Sequence, residues 1–169
     1  KRKKLFKKNY ISSKKIIDNF KNLNEFNESK IIASFISIKT EISTNLLNEF
    51  ILRNKKKLCL PVIDKFKNHL IFKEYDLYTK LVKGKFGILE PERTKKKLIP
   101  QIILTPCLAF DSKGYRLGYG GGYYDKLFTE LKKNNLKFIS IAVAFEGQKI
   151  KEVASDTFDQ KIDYILTEK

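Results

Sequence analysis

Ile102 to Phe128 reads IILTPCLAFDSKGYRLGYGGGYYDKLF. An apolar run halts at Pro106, resumes at Leu108-Ala109-Phe110 and turns at Asp111-Ser112-Lys113-Gly114. Arg116 then leads into four glycines within five positions, Gly118, Gly120, Gly121 and Gly122. Tyr123, Tyr124 and Asp125 follow, and helical spacing takes over with Tyr124, Leu127 and Leu131. Strand, glycine loop and helix start, in that order, form a phosphate cradle. Glycine lets backbone N–H groups approach the anion, and the helix N-terminus adds unpaired donors with a partial positive charge. Arg116 adds a planar, two-pronged donor. The loop is not a P-loop, because no Gly-Lys-Ser/Thr follows, and Tyr123 stands where the dinucleotide fingerprint has its third glycine. The plain alternative is a tight turn, for which one or two glycines suffice.

Outward from this stretch, apolar runs alternate with helical spacing. IIASFISI at 31–38 is short and rich in β-branched residues, the composition of a buried strand. Thr40-Glu41-Ile42-Ser43-Thr44 follows, then helical spacing from Asn45 to Arg53, which Thr44 can cap. KLCLPVI at 57–63 predicts a strand in which Pro61 calls for an edge position or an early ending. His69 to Tyr75 predicts its partner, with His69 at the surface, and 83–100 reads as connection. Residues 1–22 predict a basic helix with Leu5, Ile16, Ile17 and Phe20 on one face and Ser12 or Ser13 as an internal cap or break. FISIAVAF at 138–145 predicts a further buried strand. The alternation predicts a single three-layer α/β/α domain over 1–169 with a mainly parallel open sheet. Such sheets bind ligands outside the carboxyl ends of their strands. Glu41, just past a strand, is therefore either a solvated loop residue or a ligand contact.

The 169 residues carry a net charge of +16, which points to an anionic partner: nucleic acid, a membrane surface or a phosphate-bearing small molecule. The lysines spread along the whole chain, and the aromatics are not interleaved with the basic runs, which argues against nucleic acid. Together with the abundance of Asn, Ile and Phe and the absence of Trp and Met, this favours a compositional origin, an AT-rich coding sequence, over a binding face. Cys59 and Cys107 sit in apolar surroundings and predict buried free thiols rather than a disulfide framework. One histidine and no Cys-x-x-Cys argue against zinc. No run approaches 18 apolar residues, so no membrane span is expected, and the basic start lacks the apolar core of a secretory signal. A reducing, cytoplasmic location and a monomer are the expectations.

TPCLAFDSKG with RLGYGGGYYDKLF closely resembles the signature of the 5-formyltetrahydrofolate cyclo-ligase family, also called 5,10-methenyltetrahydrofolate synthetases. The fit runs from Leu108 to Asp125, with Cys107 where the family has Gly. Arg2-Lys3-Lys4-Leu5-Phe6 lines up with the family's Lys-x-x-Leu-Arg, with Phe6 in place of the Arg, and Phe86-Gly87-Ile88-Leu89-Glu90-Pro91 resembles its Gly-Ile-x-Glu-Pro segment near the nucleotide. The resemblance implies ATP contacts from Arg2, Lys3, Arg116, Leu117, Gly118, Tyr119, Gly120, Gly121, Gly122, Tyr123 and Tyr124. It implies folate contacts from Ile36, Glu41, Tyr119, Gly120, Gly121, Gly122 and Tyr123, with Arg116 and Tyr123 at the reacting centre. Mg²⁺ falls to Asp125 and Asp159, with a dipole partner at the helix start as the lesser alternative for Asp125. Asp163 is assigned to orienting the terminal strand. The implied reaction is ATP-driven ring closure of a reduced folate, possibly polyglutamylated, needing no protein nucleophile. The chain accordingly offers no Ser-His-Asp or Cys-His constellation. The competing readings are a basic nucleic-acid-binding protein and a sugar-phosphate isomerase or CoA-transferase relative on a similar sheet.

Overall fold

The structure is a computed structural model describing residues 2–6, 9–64 and 68–169. A seven-stranded sheet forms its centre, in the order β11-β10-β7-β1-β2-β3-β6. These strands are β1 Ile31–Ala33, β2 Lys57–Asp64, β3 His69–Tyr75, β6 Lys97–Leu98, β7 Ile102–Pro106, β10 Ile139–Val143 and β11 Tyr164–Leu166. From β11 to β2 every pairing is parallel, and β3 pairs antiparallel with both β2 and β6. Two ribbons lie outside the sheet: β4 Leu81–Lys83 with β5 Leu89–Pro91, and β8 Ala109–Phe110 with β9 Arg116–Leu117.

Strand alternation sends side chains to two cores. Ile32, Leu58, Ile102, Leu104, Ile141 and Val143 meet α2 (Asn9–Lys21), α3 (Asn24–Glu28) and α4 (Asn45–Arg53) on one face. Ala33, Cys59, Ile103 and Ala142 meet α5 (Tyr123–Lys133) on the other. Each helix is held by an apolar stripe: Ile16 and Phe20 in α2, Leu47 and Ile51 in α4, Leu127, Phe128 and Leu131 in α5. Both cysteines are buried and free, and burial pushes the Cys59 thiol far above its ordinary value, so it behaves as packing. Asp163 does orient the last strand: its Oδ2 accepts from the Ser140 N–H at 2.8 Å and the Ser140 hydroxyl at 2.6 Å. No helix of the described residues is long and apolar enough to cross a membrane.

Three local expectations are corrected. Pro61 does not mark an edge strand, since β2 lies between β1 and β3. The β1 ladder ends opposite Cys59, so at Pro61 no β1 partner is left to need its missing N–H. The strand at 31–38 shortens to Ile31–Ala33, because the hydroxyls of Ser37 and Thr44 draw the chain into a loop; the Thr44 hydroxyl donates to the Phe35 carbonyl at 2.6 Å. Ser13 neither caps nor breaks a helix. It lies inside α2 and donates to the Asn9 carbonyl four residues back and to the Ser43 carbonyl.

Candidate active site

After β1 the chain turns to one side, through α4 to β2; after β7 it turns to the other, through α5 to β10. The crevice at the carboxyl ends of β1 and β7 is thus a topological switch point. The loop with Glu41 leaves one of these strands and the glycine loop follows the other.

Each part of the 107–125 segment has a physical cause. The Leu108 N–H donates to the Leu117 carbonyl at 2.7 Å and closes the β8–β9 ribbon. At its tip Asp111 Oδ1 accepts from the N–H groups of Lys113 and Tyr115, while Oδ2 accepts from that of Val153. Gly120 and Gly122 take left-handed φ values of 85° and 59°, which favour glycine. Gly121 has ordinary φ, but a Cβ there would stand 2.7 Å from the Tyr123 ring. The first hydrogen bond of α5 runs from the Lys126 N–H to the Gly122 carbonyl. The N–H groups of Gly120, Gly121 and Gly122 make no hydrogen bond among the described residues, and these glycines are exposed. The amides a bound anion would need are therefore open. Two concavities, of about 380 and 570 Å³, lie elsewhere: one beside the β8–β9 tip, the other between Glu25 and Phe138.

Arg116 does not point into solvent. Its guanidinium donates to both carboxylate oxygens of Asp125, at 3.1 and 3.2 Å, with the two side chains only 5% and 16% exposed. Its carbon lies 5.5 Å from the Tyr124 ring centroid, and its Nε has no partner among the described residues. A Cβ at Gly118 would stand 3.2 Å from an Arg116 amino nitrogen. Burial pushes the Tyr124 hydroxyl well above its ordinary range; the Arg116 charge acts the other way, and Glu41 reinforces the rise. Arg116, Tyr124 and Glu41 therefore share one electrostatic neighbourhood. Glu41 is buried, its Oε2 accepting from the Ile38 N–H at 2.8 Å, and its carbonyl accepts from the Asn9 amide. Ile36 is half-buried in the same loop.

Tyr123 sits on the outer side. Its hydroxyl accepts from Lys85 Nζ at 3.0 Å and donates to Asn68 Oδ1 at 3.2 Å, and Phe86 meets its ring edge-on. Sequence reading gave Lys85 and Asn68 no role, for neither belongs to a motif and only the fold brings them to the loop. Tyr119 and Leu117 are exposed, and Lys3 lies exposed in the short helix α1 (Arg2–Leu5). The side chain of Arg2 lies outside the described residues. Leu5 packs where a Cβ on Gly147 would go, which sets α1 beside the turn after β10.

For a divalent cation the residues fit in part by themselves. Asp125 Oδ1 accepts from the N–H of Gln160, the residue after Asp159, while both Asp125 oxygens take the Arg116 guanidinium and Asp159 Oδ2 accepts from the Asp156 N–H. Among the described residues no three His, Cys, Asp or Glu side chains gather to hold a metal. Two carboxylates, with phosphate oxygens and water completing the shell, are how Mg²⁺ usually binds.

An open, mainly parallel sheet whose two diverging loops face each other at the switch point defines the class of doubly wound α/β proteins that seat ligands at the carboxyl edge. Residues 1–168 match the profile of the 5-formyltetrahydrofolate cyclo-ligase family, and the chain belongs to that family. The 5-formyltetrahydrofolate cyclo-ligase of Haemophilus influenzae is 35% identical over 150 residues, covering 86% of this chain and 79% of the relative. Its Escherichia coli K12 counterpart is 29% identical over 141 residues, covering 80% and 76%. The NMR structure of Aquifex aeolicus 5,10-methenyltetrahydrofolate synthetase superposes with a TM-score of 0.78 at 32% identity, covering 99% of this chain and 88% of that one. The Mycoplasma pneumoniae synthetase shares the fold at a TM-score of 0.74 and 22% identity, covering 99% and 96%.

Proposed function

We propose that this enzyme converts 5-formyltetrahydrofolate to 5,10-methenyltetrahydrofolate, consuming ATP and releasing ADP and phosphate. The observation that carries the reading is the row of open amides at Gly120, Gly121 and Gly122, set at the switch point across from the buried Glu41. One side offers donors to a polyphosphate and the other a carboxylate to the N–H groups of a pterin. Family membership supplies the substrate class.

The formyl group on N5 is an amide and a poor electrophile. Its oxygen attacks the γ-phosphorus of ATP, the bond to the ADP oxygen breaks, and the formyl carbon becomes an iminium bearing phosphate. N10 of the same molecule adds to that carbon and loses its proton, and the C–O bond breaks to release phosphate. The protein's part is positioning and electrostatics. The loop amides hold the transferring phosphoryl group, the enclosed Arg116–Asp125 pair braces that loop, and Glu41 with Ile36 fixes the pterin. Tyr123, braced by Lys85 and Asn68, covers the reacting end. Mg²⁺, which Asp125 and Asp159 would hold, supplies neutralisation of the phosphate charge when bound.

The test is to follow methenyl-folate absorbance with purified protein, 5-formyltetrahydrofolate and Mg-ATP. Absorbance should rise only with both substrates present; no rise above the ATP-free control at any protein concentration would refute the reading.

A further inference from the structure

Glu41 stands between β1 and α4, outside every strand and helix. Its loop closes a tight ring on itself: the Glu41 N–H donates to the Ile38 carbonyl at 3.1 Å, and Oε2 accepts from the Ile38 N–H at 2.8 Å. That ring fixes the carboxylate against its own backbone but not against the rest of the molecule. A second constraint comes from α2. Asn9, 32 residues away in sequence, donates from Nδ2 to the Glu41 carbonyl at 3.3 Å, and its Oδ1 accepts from the Ser43 N–H at 2.7 Å. One turn further along, the Ser13 hydroxyl lies 3.0 Å from the Ser43 carbonyl, and Ser13 is 1% exposed.

One side chain thus gives the loop both a donor and an acceptor, which an Asn amide can do and an Asp carboxylate or an Ala methyl cannot. Asn9 opens α2, and α2 is anchored in the core by Ile16 and Phe20, 2% and 0% exposed. The place of Glu41 is therefore referred to the core through Asn9. Hydrogen bonds weaken steeply with misalignment, so a carboxylate that is to meet the N–H groups of a pterin needs its loop held in one place. We propose that Asn9 is a positioning residue for the folate, which touches no ligand and sets where the Glu41 carboxylate meets the pterin. This rests on the reading of Glu41 given above. The effect is confined to one ligand, because α2 packs on the sheet face opposite α5, the helix that follows the glycine loop.

The experiment is calorimetric titration of 5-formyltetrahydrofolate, and separately of Mg-ATP, into the full chain as wild type, Asn9→Ala, Asn9→Asp, Glu41→Gln and the double variant Asn9→Asp with Glu41→Gln. Asn9→Asp keeps the acceptor for the Ser43 N–H and adds a charge that suits a helix start, but it sets an oxygen against the Glu41 carbonyl. Its ligand-free melting temperature should therefore equal or exceed that of the wild type, while its folate affinity falls about fivefold, the scale of one neutral hydrogen bond. Asn9→Ala should lose the same affinity and some melting temperature as well. Mg-ATP should bind both single Asn9 variants as it binds the wild type. Because Asn9 acts through Glu41, Asn9→Asp should cost little more folate affinity in the Glu41→Gln background. Normal folate affinity in Asn9→Asp, equal losses for both ligands, or strict additivity of the two substitutions would overturn the assignment while the Glu41 reading stands. A Glu41→Gln variant that binds folate as the wild type does would overturn the Glu41 reading itself, and this assignment with it.

Discussion

Replacing Arg116 by Ala separates the structural from the catalytic demands on the site. Arg116 holds Asp125 through two hydrogen bonds of 3.1 and 3.2 Å at 5% and 16% side-chain exposure. Removing one member of so enclosed a pair typically costs about 3–5 kcal/mol, because the remaining charge stays buried. Asp125 keeps the Gln160 N–H at 3.2 Å, and Arg116 already leaves its Nε unpartnered, so the lower figure applies here, about 3 kcal/mol. At roughly 2–4 °C per kcal/mol for a chain of this size, the melting temperature should fall by about 6–12 °C. With typical stabilities of about 5–15 kcal/mol the variant stays folded at 25 °C, where Mg-ATP binding can still be measured and should be weaker. Urea unfolding supplies the assay: the midpoint should drop at constant slope. Asp125→Asn introduced into the Arg116→Ala background should then cost far less than it does alone. A midpoint loss worth under about 1 kcal/mol, the range of an exposed pair, would refute the reasoning, as would strict additivity of the two substitutions.

Gly121→Ala should reduce kcat/KM for ATP by tenfold or more, since its Cβ would press on the Tyr123 ring at 2.7 Å and dislodge the hydroxyl from Lys85 and Asn68. Gly120→Ala meets open space and should cost only the strain of its φ of 85°, about 1–2 kcal/mol of stability by urea unfolding. Glu41→Gln should raise the folate KM more than the ATP KM in steady-state assays; the opposite pattern would exchange the two ligand sides. Burial pushes the Asp111 carboxyl up, but the N–H groups of Val153, Tyr115 and Lys113, with the Lys113 charge, outweigh it and hold the pKa below its ordinary 3.8. A depressed carboxyl adds stability above its unfolded value that is lost as pH falls through the folded one. Asp111→Asn should therefore flatten the acid limb of stability against pH, and at pH 7 cost about 1–3 kcal/mol by leaving a backbone donor facing an amide.

The layers of the fold were legible because period decides them. β-branched runs at 31–38, 57–63 and 138–145 became central strands, and the stripes of α4 and α5 fell where spacing put them. What strand length alone could not reveal was the pull of side chains on backbone: the hydroxyls of Ser37 and Thr44 end β1 early, a tertiary effect with no periodic signature. The candidate site was half legible. Glycines report a local need, so loop 118–122 could be read directly from sequence. Arg116 and Asp125 were each given a ligand, and nothing in their spacing showed that they hold one another. Lys85 and Asn68 owe their places to a hairpin and a ribbon brought in from elsewhere in the chain.

The charge distribution separates what is compositional from what is built. The chain has a surplus of 16 positive charges, yet among the described residues no lysine is buried. The buried charged side chains are Glu41, Glu90, Asp111 and Arg116, and all four lie in the loops and ribbons around the sheet rather than in its long strands or its helices. Exposed lysines are cheap to gain and lose, because long side chains in water interact weakly. Enclosed charges are costly unless something compensates them. Asp111 is compensated by three backbone N–H groups and Arg116 by Asp125, both within the segment that forms the glycine loop. On this account neutralising several surface lysines should leave turnover of 5-formyltetrahydrofolate nearly intact, whereas neutralising Glu41 or Arg116 should not. Comparable losses in both sets, measured at one ionic strength, would instead make the surplus charge itself functional.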